Sequence, residues 1–433
     1  MECEDYETIV YENDFWKDDM KDTLERVKTF IQRKKLVLVG GMAIDIALRS
    51  KGKHLYKDNK LPDYDFYSAE HHKDAYDLGL ILAKLYDGVS VINAFHVSTM
   101  RVRVNFQEAA DISYIPQSIM DKLPTIVHMG FVVIHPHYQM IDQHRSLSMP
   151  FENPPFETVF ARWKKDITRY TMLSDEFPIS KESFPPEKSV DYIVKHSDLE
   201  GHCMSGYASL LYWIDQAKAD GFTGELADCT FSDDGKAVNV SLPESAAFTM
   251  LADDVDAAMK TFSFGTTPEI KKFRPIIDKV NARTEISLDD YKYIIVDNYG
   301  DKRSAYKTNK YYVSNLQEVM CYLLTMGILY SDKFAINSYL VAKELLDFAS
   351  DKYRTGNKYA KYLPTTDTYG CANNYAATAV SKQSVDVQFK KAQRTLFTPR
   401  NAYPDKKNPY IKPELYQFNP ANEVLFQFDG TEI

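Results

Sequence analysis

A short apolar segment that ends in two glycines constrains the fold of this chain more than any other feature. Leu36-Val37-Leu38-Val39 is apolar and partly β-branched, which predicts a buried strand. Gly40-Gly41 interrupts this run, and Met42–Leu48 then has the spacing of a helix. Two glycines at a strand-to-helix turn let backbone N–H groups approach a ligand closely, and a helix N-terminus favours an anion. The turn is weak evidence alone, since it is neither a Walker A loop nor a GxGxxG motif.

Two aspartates lie on the next predicted strand, Asp63–Tyr67, which follows a polar and basic loop. Residues i and i+2 of a strand point to the same face, roughly 6.5 to 7 Å apart, so Asp63 and Asp65 project side by side. Two neighbouring carboxylates repel each other unless cations bind between them, and two divalent ions about 3.5–4 Å apart suit this spacing. A bare Asp-x-Asp is otherwise typical of a surface turn, but the flanking apolar residues and the upstream glycines favour a metal site.

A third carboxylate is expected on a neighbouring strand. Asp111 is the one acid within the predicted strand Ala109–Ile115, where an unpaired charge would be unfavourable. Glu108 competes for the role but lies before the predicted strand, so we predict Asp111 as the third metal ligand.

The order of predicted elements indicates an α/β (α+β) fold. Strands alternate with helices up to about residue 170, which favours a mixed sheet flanked by helices. We predict an N-terminal helical segment (1–35), a catalytic domain (36–170) and a second α+β domain (171–433). The sequence shows no internal repeat.

Composition and charge narrow the class of protein. The net charge of −9 argues against binding of nucleic acid over the whole surface, although local basic tracts remain available. The five cysteines are scattered, without the spacing of a zinc site, and are predicted to be free thiols. No apolar run is long enough to span a bilayer, and the acidic N-terminus lacks the order of a signal peptide. We expect a cytoplasmic protein that does not associate with membranes.

Several motifs together resemble a known family. They are Lys35-Leu36-Val37-Leu38-Val39-Gly40-Gly41-Met42-Ala43-Ile44-Asp45, Pro62-Asp63-Tyr64-Asp65, Met100-Arg101-Val102-Arg103, Ala110-Asp111-Ile112-Ser113-Tyr114, Ile134-His135-Pro136, Phe151-Glu152-Asn153-Pro154-Pro155, and Arg162, Lys165, Asp166 and Arg169. The set resembles the polymerase-β-like nucleotidyltransferases. It is most similar to the poly(A) polymerase catalytic subunits of large nucleocytoplasmic DNA viruses, the poxvirus, asfarvirus and giant-virus group. The resemblance covers residues 30–170 and is faint beyond them.

The resemblance implies a reaction and a set of roles. AMP from ATP would be added to an RNA 3′ end, as in mRNA polyadenylation, with Mg²⁺ or Mn²⁺ held by the three aspartates. Gly40 and Gly41 would cradle the triphosphate, and Lys165 and Arg169 would bind phosphate. Gly41 stands where the family commonly has serine, and Ser68 is the predicted substitute. The resemblance also implies a processivity subunit or a homodimer, and a location in a viral factory or virion if the protein is viral.

The sequence leaves two alternative functions open. One is another nucleotidyltransferase of the superfamily, acting on tRNA or on a small molecule. Another is an inactive, RNA-binding nucleotidyltransferase-like scaffold, against which the presence of all three carboxylates counts. Arg101 and Arg103 could contact phosphate, but pairing with an acid or exposure on the strand face is the favoured interpretation. Asp45 is expected to cap or pair rather than to catalyse.

Overall fold

The computed structural model describes residues 14–58, 60–94, 98–148, 159–252, 254–261, 267–273, 283–297, 305–353 and 361–362. The chain divides into two compact units, and within the described part the division falls between Gln139 and Met140. The boundaries near 35 and 170 remain predictions. The predicted extended segment between Pro399 and Pro420 lies outside the described residues.

The first unit is built on a seven-stranded mixed sheet with the order β3-β4-β5-β2-β1-β7-β6. The strands are β1 (Val37–Val39), β2 (Tyr64–Ser68), β3 (Val89–Asn93), β4 (Thr99–Val104), β5 (Gln107–Tyr114), β6 (Thr125–His128) and β7 (Phe131–Ile134). Strand β2 runs antiparallel to β1 and parallel to β5, and β1 runs parallel to β7. The mixed sheet predicted from the sequence is confirmed, with β3 and β6 as additional strands.

Helices cover the sheets of both units. The helices of the described part are α1 (Asp14–Lys34), α2 (Gly40–Arg49), α3 (His71–Ala83), α4 (Gln117–Met120), α5 (Pro136–Ser148), α6 (Val159–Glu176), α7 (Gly206–Lys218), α8 (Val255–Thr261), α9 (Leu316–Leu329) and α10 (Lys333–Tyr353). None of these helices is both long and apolar enough to cross a membrane.

Alternation along β2 separates the core face from the face that carries the aspartates. Tyr64 and Phe66 are buried on one face, where the Phe66 ring lies 6.5 Å from that of Phe30 in α1 and Tyr64 stacks on Phe131 at 6.0 Å. Because successive side chains of a strand point to opposite faces, Asp65 projects from the other face. Burial of the aromatic face therefore fixes the direction of the carboxylate.

The second unit contains another seven-stranded sheet and a three-stranded sheet. The larger sheet has the order β13-β14-β15-β12-β9-β17-β16, and the smaller one β10-β11-β8. The strands are β8 (Ser189–Lys195), β9 (Cys203–Ser205), β10 (Thr230–Asp233), β11 (Ala237–Pro243), β12 (Phe248–Ala252), β13 (Glu269–Phe273), β14 (Arg283–Leu288), β15 (Tyr291–Asp297), β16 (Ala305–Lys307) and β17 (Tyr312–Ser314). The predicted second α+β domain is confirmed as a fold class.

The two large sheets have the same topology. If the strands of each sheet are ranked along the chain, both sheets have the order 3-4-5-2-1-7-6. Neighbouring pairs also run in the same directions in both sheets, with β1/β7 and β2/β5 parallel like β9/β17 and β12/β15. In each sheet the first strand leads directly into a helix that begins with a glycine of positive φ, Gly40 (+67°) and Gly206 (+57°). The fold therefore repeats although the sequence shows no internal repeat, because strand pairing recurs without a visible repeat of residues.

Candidate active site

Strand register brings the predicted carboxylates together on one face of the first sheet. Val39 of β1 pairs with Asp65 of β2, and Asp65 pairs with Asp111 of β5. Asp111 in turn pairs with Arg101 of β4. Paired residues of adjacent strands point to the same face, so Asp65, Asp111 and Arg101 form one row across three strands. Asp63 lies just before β2 and belongs to the same face by alternation. We refer to the three carboxylates Asp63, Asp65 and Asp111 as the acidic row.

The pKa of Asp63 is raised by its burial and by the negative charges on this face. Burial, followed by the nearby charges of Asp111 and Glu108, raises the pKa of Asp63 to about 6, while the charge of Arg101 acts to lower it. The ionised form of Asp63 is therefore disfavoured in the folded protein. A cation at this position would restore its charge.

Arg101 is the internal counter-charge of the site. Its Nε donates to Asp111 Oδ1 at 2.7 Å and its Nη2 to Asp111 Oδ2 at 2.6 Å, while Nη1 bonds Glu108. Arg103 adds a bond from Nη2 to Glu108 Oε1 at 3.0 Å. The favoured interpretation of these arginines as partners of acids is confirmed, and both oxygens of Asp111 are held by one guanidinium.

Glu108 belongs to the site, contrary to its predicted place before the strand. Strand β5 begins at Gln107, and the register shifts between the pairs Val102–Ala110 and Arg103–Glu108. Ala109 is therefore an extra residue, a β-bulge, and a bulge re-aims the side chains that flank it. As a result Glu108 reaches the same guanidinium as Asp111, although a regular strand would place residues three apart on opposite faces.

Gly40 is required by close contact with Asp65. A Cβ atom at Gly40 would lie 2.1 Å from Asp65 Oδ2, and the φ of +67° disfavours any other residue. Gly40 starts helix α2, and the side chain of its N-cap residue, Val39, makes no capping bond to the first N–H groups. Gly41 is buried in the first turn. The predicted glycine turn thus presents a helix N-terminus beside the Asp65 carboxylate, where an anion is favoured.

Asp45 holds the long loop that leads to Asp63. Its Oδ2 accepts from Arg49 Nε at 2.6 Å, and its Oδ1 accepts the N–H groups of Leu55 at 2.7 Å and Tyr56 at 2.9 Å. The prediction that Asp45 pairs rather than catalyses agrees with these bonds. The loop is thereby tied to α2, so the chain enters β2 at a fixed position.

Ser68, the predicted substitute for a phosphate-binding serine, does not join this face. Ser68 lies on the buried face of β2, where its Oγ donates to Asp74 Oδ2 at 2.6 Å and accepts from the Glu70 N–H at 2.9 Å. These bonds do not fit the predicted contact with a triphosphate, because the hydroxyl serves to start α3. Lys165 is exposed and Arg169 half-buried on α6, in the second unit, and their role in phosphate binding stays a prediction.

The donor set of the face fits a hard divalent cation. Asp63, Asp65, Asp111 and Glu108 offer only carboxylate oxygens, which Mg²⁺ and Mn²⁺ prefer. Within the described residues, however, no three carboxylate, histidine or cysteine side chains already converge as a metal site. Arg101 holds Asp111, so metal ligation by Asp111 would require this ion pair to open.

The second sheet lacks these carboxylates at the corresponding positions. Thr249, which pairs with Ser205, corresponds to Asp65, and Ile294, which pairs with Thr249, corresponds to Asp111. Thr249 Oγ1 donates to Tyr322 Oη at 3.1 Å, and a Cβ at Gly206 would lie 2.8 Å from Thr249 Oγ1. The glycine turn is kept, but of the two repeats only the first carries the acidic row.

Comparisons with known proteins match the unit that carries this row. The fold of this unit is a mixed sheet with flanking helices. Residues 25–153 match the family model for the poly(A) polymerase catalytic subunit. A protein of African swine fever virus (isolate Pig/Kenya/KEN-50/1950), assigned as a poly(A) polymerase catalytic subunit, is 42% identical over 175 residues. A protein of Acanthamoeba polyphaga mimivirus with the same assignment is 30% identical over 181 residues.

These matches cover part of each chain. The African swine fever virus alignment takes in 40% of this chain and 37% of the relative, and the mimivirus alignment 39% and 30%. The crystal structure of the Megavirus polyadenylate synthase has the same fold over 96% of this chain and 86% of its own, with a TM-score of 0.62 and 17% sequence identity. The resemblance to viral poly(A) polymerase catalytic subunits is therefore confirmed, on sequence for residues 25–153 and on fold for nearly the whole chain.

Proposed function

We propose that this protein is a template-independent poly(A) polymerase, which adds AMP from ATP to the 3′ end of RNA and releases pyrophosphate. The observation that carries the proposal is the row of Asp63, Asp65 and Asp111 on one sheet face, with the Gly40 turn against Asp65. The row lies wholly within the residues that match the poly(A) polymerase family model.

The chemistry assigns a role to each group of the face. Asp63, Asp65 and Asp111 would hold two divalent ions, Mg²⁺ or Mn²⁺, which when bound lower the barrier to attack by the RNA 3′-hydroxyl and stabilise the charge of the transferring phosphoryl group. The N–H groups at Gly40 and Gly41 would hold the triphosphate of ATP. Catalysis then consists mainly of positioning and electrostatic stabilisation, because phosphoryl transfer needs no covalent contribution from the protein.

Primer extension tests the proposal. The full chain is incubated with an RNA oligonucleotide and each ribonucleoside triphosphate in turn, with Mg²⁺ or Mn²⁺. We expect extension with ATP and not with the other three nucleotides. No extension by any nucleotide would exclude the transferase, and extension of tRNA ends alone would favour the tRNA-adding alternative.

Single substitutions locate the site within the molecule. Asp63→Ala and Asp65→Ala should each abolish extension without lowering the melting temperature, since both residues lie on the crowded acidic face. Asp87→Asn, which changes an exposed aspartate of the same unit, is the control and should extend like wild type. Full activity of both alanine variants would place the active site elsewhere.

Association with other chains is part of the proposal. The family resemblance implies either a homodimer or a separate processivity subunit. Light scattering of the purified chain distinguishes them, since a stable dimer at assay concentrations supports the first route and a monomer the second.

A further inference from the structure

The turn between β4 and β5 carries an aromatic residue in an unfavourable backbone conformation. Val104 pairs with Gln107, so Asn105 and Phe106 form a two-residue turn, with φ values of +51° and +68°. Two positive φ values mark a type I′ hairpin, in which asparagine suits the first position and glycine the second. A phenylalanine at the second position is disfavoured because its Cβ crowds the backbone there.

The turn is held in place from the neighbouring loop. The Asn105 N–H donates to the Gly88 carbonyl at 2.9 Å, and a Cβ at Gly88 would lie 2.2 Å from Asn105 Oδ1. Phe106 itself is 90% exposed. Burial against the part of the chain that the structure describes therefore does not compensate for the unfavourable conformation, which a contact with a bound molecule would explain.

The β6–β7 turn provides a comparison within the same sheet. It is also a two-residue turn with two positive φ values, but it has Met129 at the first position and Gly130 (φ +77°) at the second. Here the second position holds the residue that the turn type prefers. Of these two turns in the described sheet, the β4–β5 turn alone has phenylalanine at the second position.

Topology places the β4–β5 turn at the edge of the sheet where the carboxylates lie. Strand β5 starts directly after Phe106 and runs parallel to β2, which starts directly after Asp63. At about 3.3 Å per residue, Phe106 lies about 15 Å along the strand from Asp111. The strand order β4-β5-β2-β1 places this turn on the opposite side of the carboxylates from Gly40.

That position corresponds to the acceptor side of the proposed reaction. In phosphoryl transfer the attacking and leaving oxygens lie roughly in line, on opposite sides of the transferred phosphorus. If the triphosphate lies at the Gly40 turn, the RNA 3′ end approaches from the side of β5 and β4. An exposed aromatic ring there can stack on any base, because every base has a π-face.

We propose that Phe106 is a stacking platform for a base of single-stranded RNA close to the 3′ end that is extended. The proposal rests on the proposed polymerase function, since it takes RNA as the acceptor. A second copy of this chain or a protein partner at the same ring is the competing outcome.

Binding of a fluorescein-labelled oligoadenylate to the full chain, measured by anisotropy without ATP, tests the contact. We expect Phe106→Gly to raise Kd about 5- to 150-fold, because base–aromatic stacking contributes about 1–3 kcal/mol. Phe106→Trp should bind like wild type. Met129→Gly removes the other exposed apolar side chain on such a turn, at the opposite edge of the sheet, and should leave Kd unchanged.

A loss of folding should not account for weaker RNA binding by Phe106→Gly. Glycine at position 106 suits a type I′ turn, so the melting temperature of Phe106→Gly should equal or exceed that of wild type. Equal Kd values for wild type and Phe106→Gly, or no binding by either, would overturn the stacking contact. A change of oligomeric state in Phe106→Gly, seen by light scattering, would instead assign the ring to a second copy.

The same variants separate this inference from the proposed function. If wild type extends primers and Phe106→Gly has the same primer KM, the stacking contact is refuted and the polymerase proposal is not. If wild type binds oligoadenylate through Phe106 but extends it with no nucleotide, the polymerase proposal is refuted and the stacking contact is not.

Discussion

Replacement of Asp63 by asparagine should stabilise this protein and inactivate it. The pKa of Asp63 is raised from 3.8 to about 6 by burial and by the charges of Asp111 and Glu108. The folded state therefore binds the Asp63 proton more tightly than the unfolded chain does. Stability falls as pH rises from about 4 to about 6, and above that range the ionised carboxylate keeps the folded state destabilised.

The structure sets the size of the effect. The difference between 3.8 and about 6 corresponds to about 3 kcal/mol at pH 7.5, since one pKa unit is about 1.4 kcal/mol. Asparagine has no charge and removes most of this penalty. For a unit of this size about 3 kcal/mol raises the melting temperature by about 6–12 °C.

Thermal unfolding in EDTA at pH 7.5 and pH 4 measures the effect without bound metal. We expect Asp63→Asn to melt above wild type at pH 7.5, and the difference to disappear at pH 4, where wild-type Asp63 is protonated. The exposed control Asp87→Asn should show no comparable change between the two pH values. A variant that melts below wild type at pH 7.5, or a difference independent of pH, would refute the electrostatic reasoning.

Two further predictions concern the contacts of the acidic row. Gly40→Ala places a methyl group 2.1 Å from Asp65 Oδ2 and should lower the melting temperature and abolish primer extension, whereas Gly206→Ala should destabilise but leave the folded protein active. Equal loss of activity in both, measured on protein that is still folded, would contradict the assignment of the site to the first repeat. Arg101→Met removes the half-buried partner of Asp111 and should destabilise the protein by about 2 kcal/mol in EDTA, the size expected for hydrogen bonds to a charged group. Calorimetry should show partial recovery of the melting temperature in Mg²⁺. An unchanged melting temperature would show that the ion pair does not stabilise the fold.

Local sequence was sufficient to predict the elements that present Asp63 and Asp65. The apolar run before Gly40 and the alternation around Asp65 depend on residues close together in the chain, and the structure has strand, turn and helix at those positions. The same reasoning failed for Ser68, because alternation already places it on the buried face opposite to Asp65.

Glu108 could not be assigned from the sequence because its direction depends on a bulge. An extra residue at Ala109 is defined only by the pairing of β5 with β4, and neither strand shows it alone. Arg101 was placed correctly among acids, but its hold on both oxygens of Asp111 follows from strand register.

The repeated strand topology shows the same difference between what the sequence predicts and what only the tertiary structure decides. The sequence by itself determined the strand-turn-helix at Gly40, the same-face pair Asp63 and Asp65, and the class of fold, since these follow from backbone periodicity over a few residues. Only the tertiary structure decided that Asp111 lies beside Asp65, that Glu108 joins them, and that the second unit repeats the first without its carboxylates. Pairing between distant strands depends on register over the whole sheet, which many different residues can satisfy.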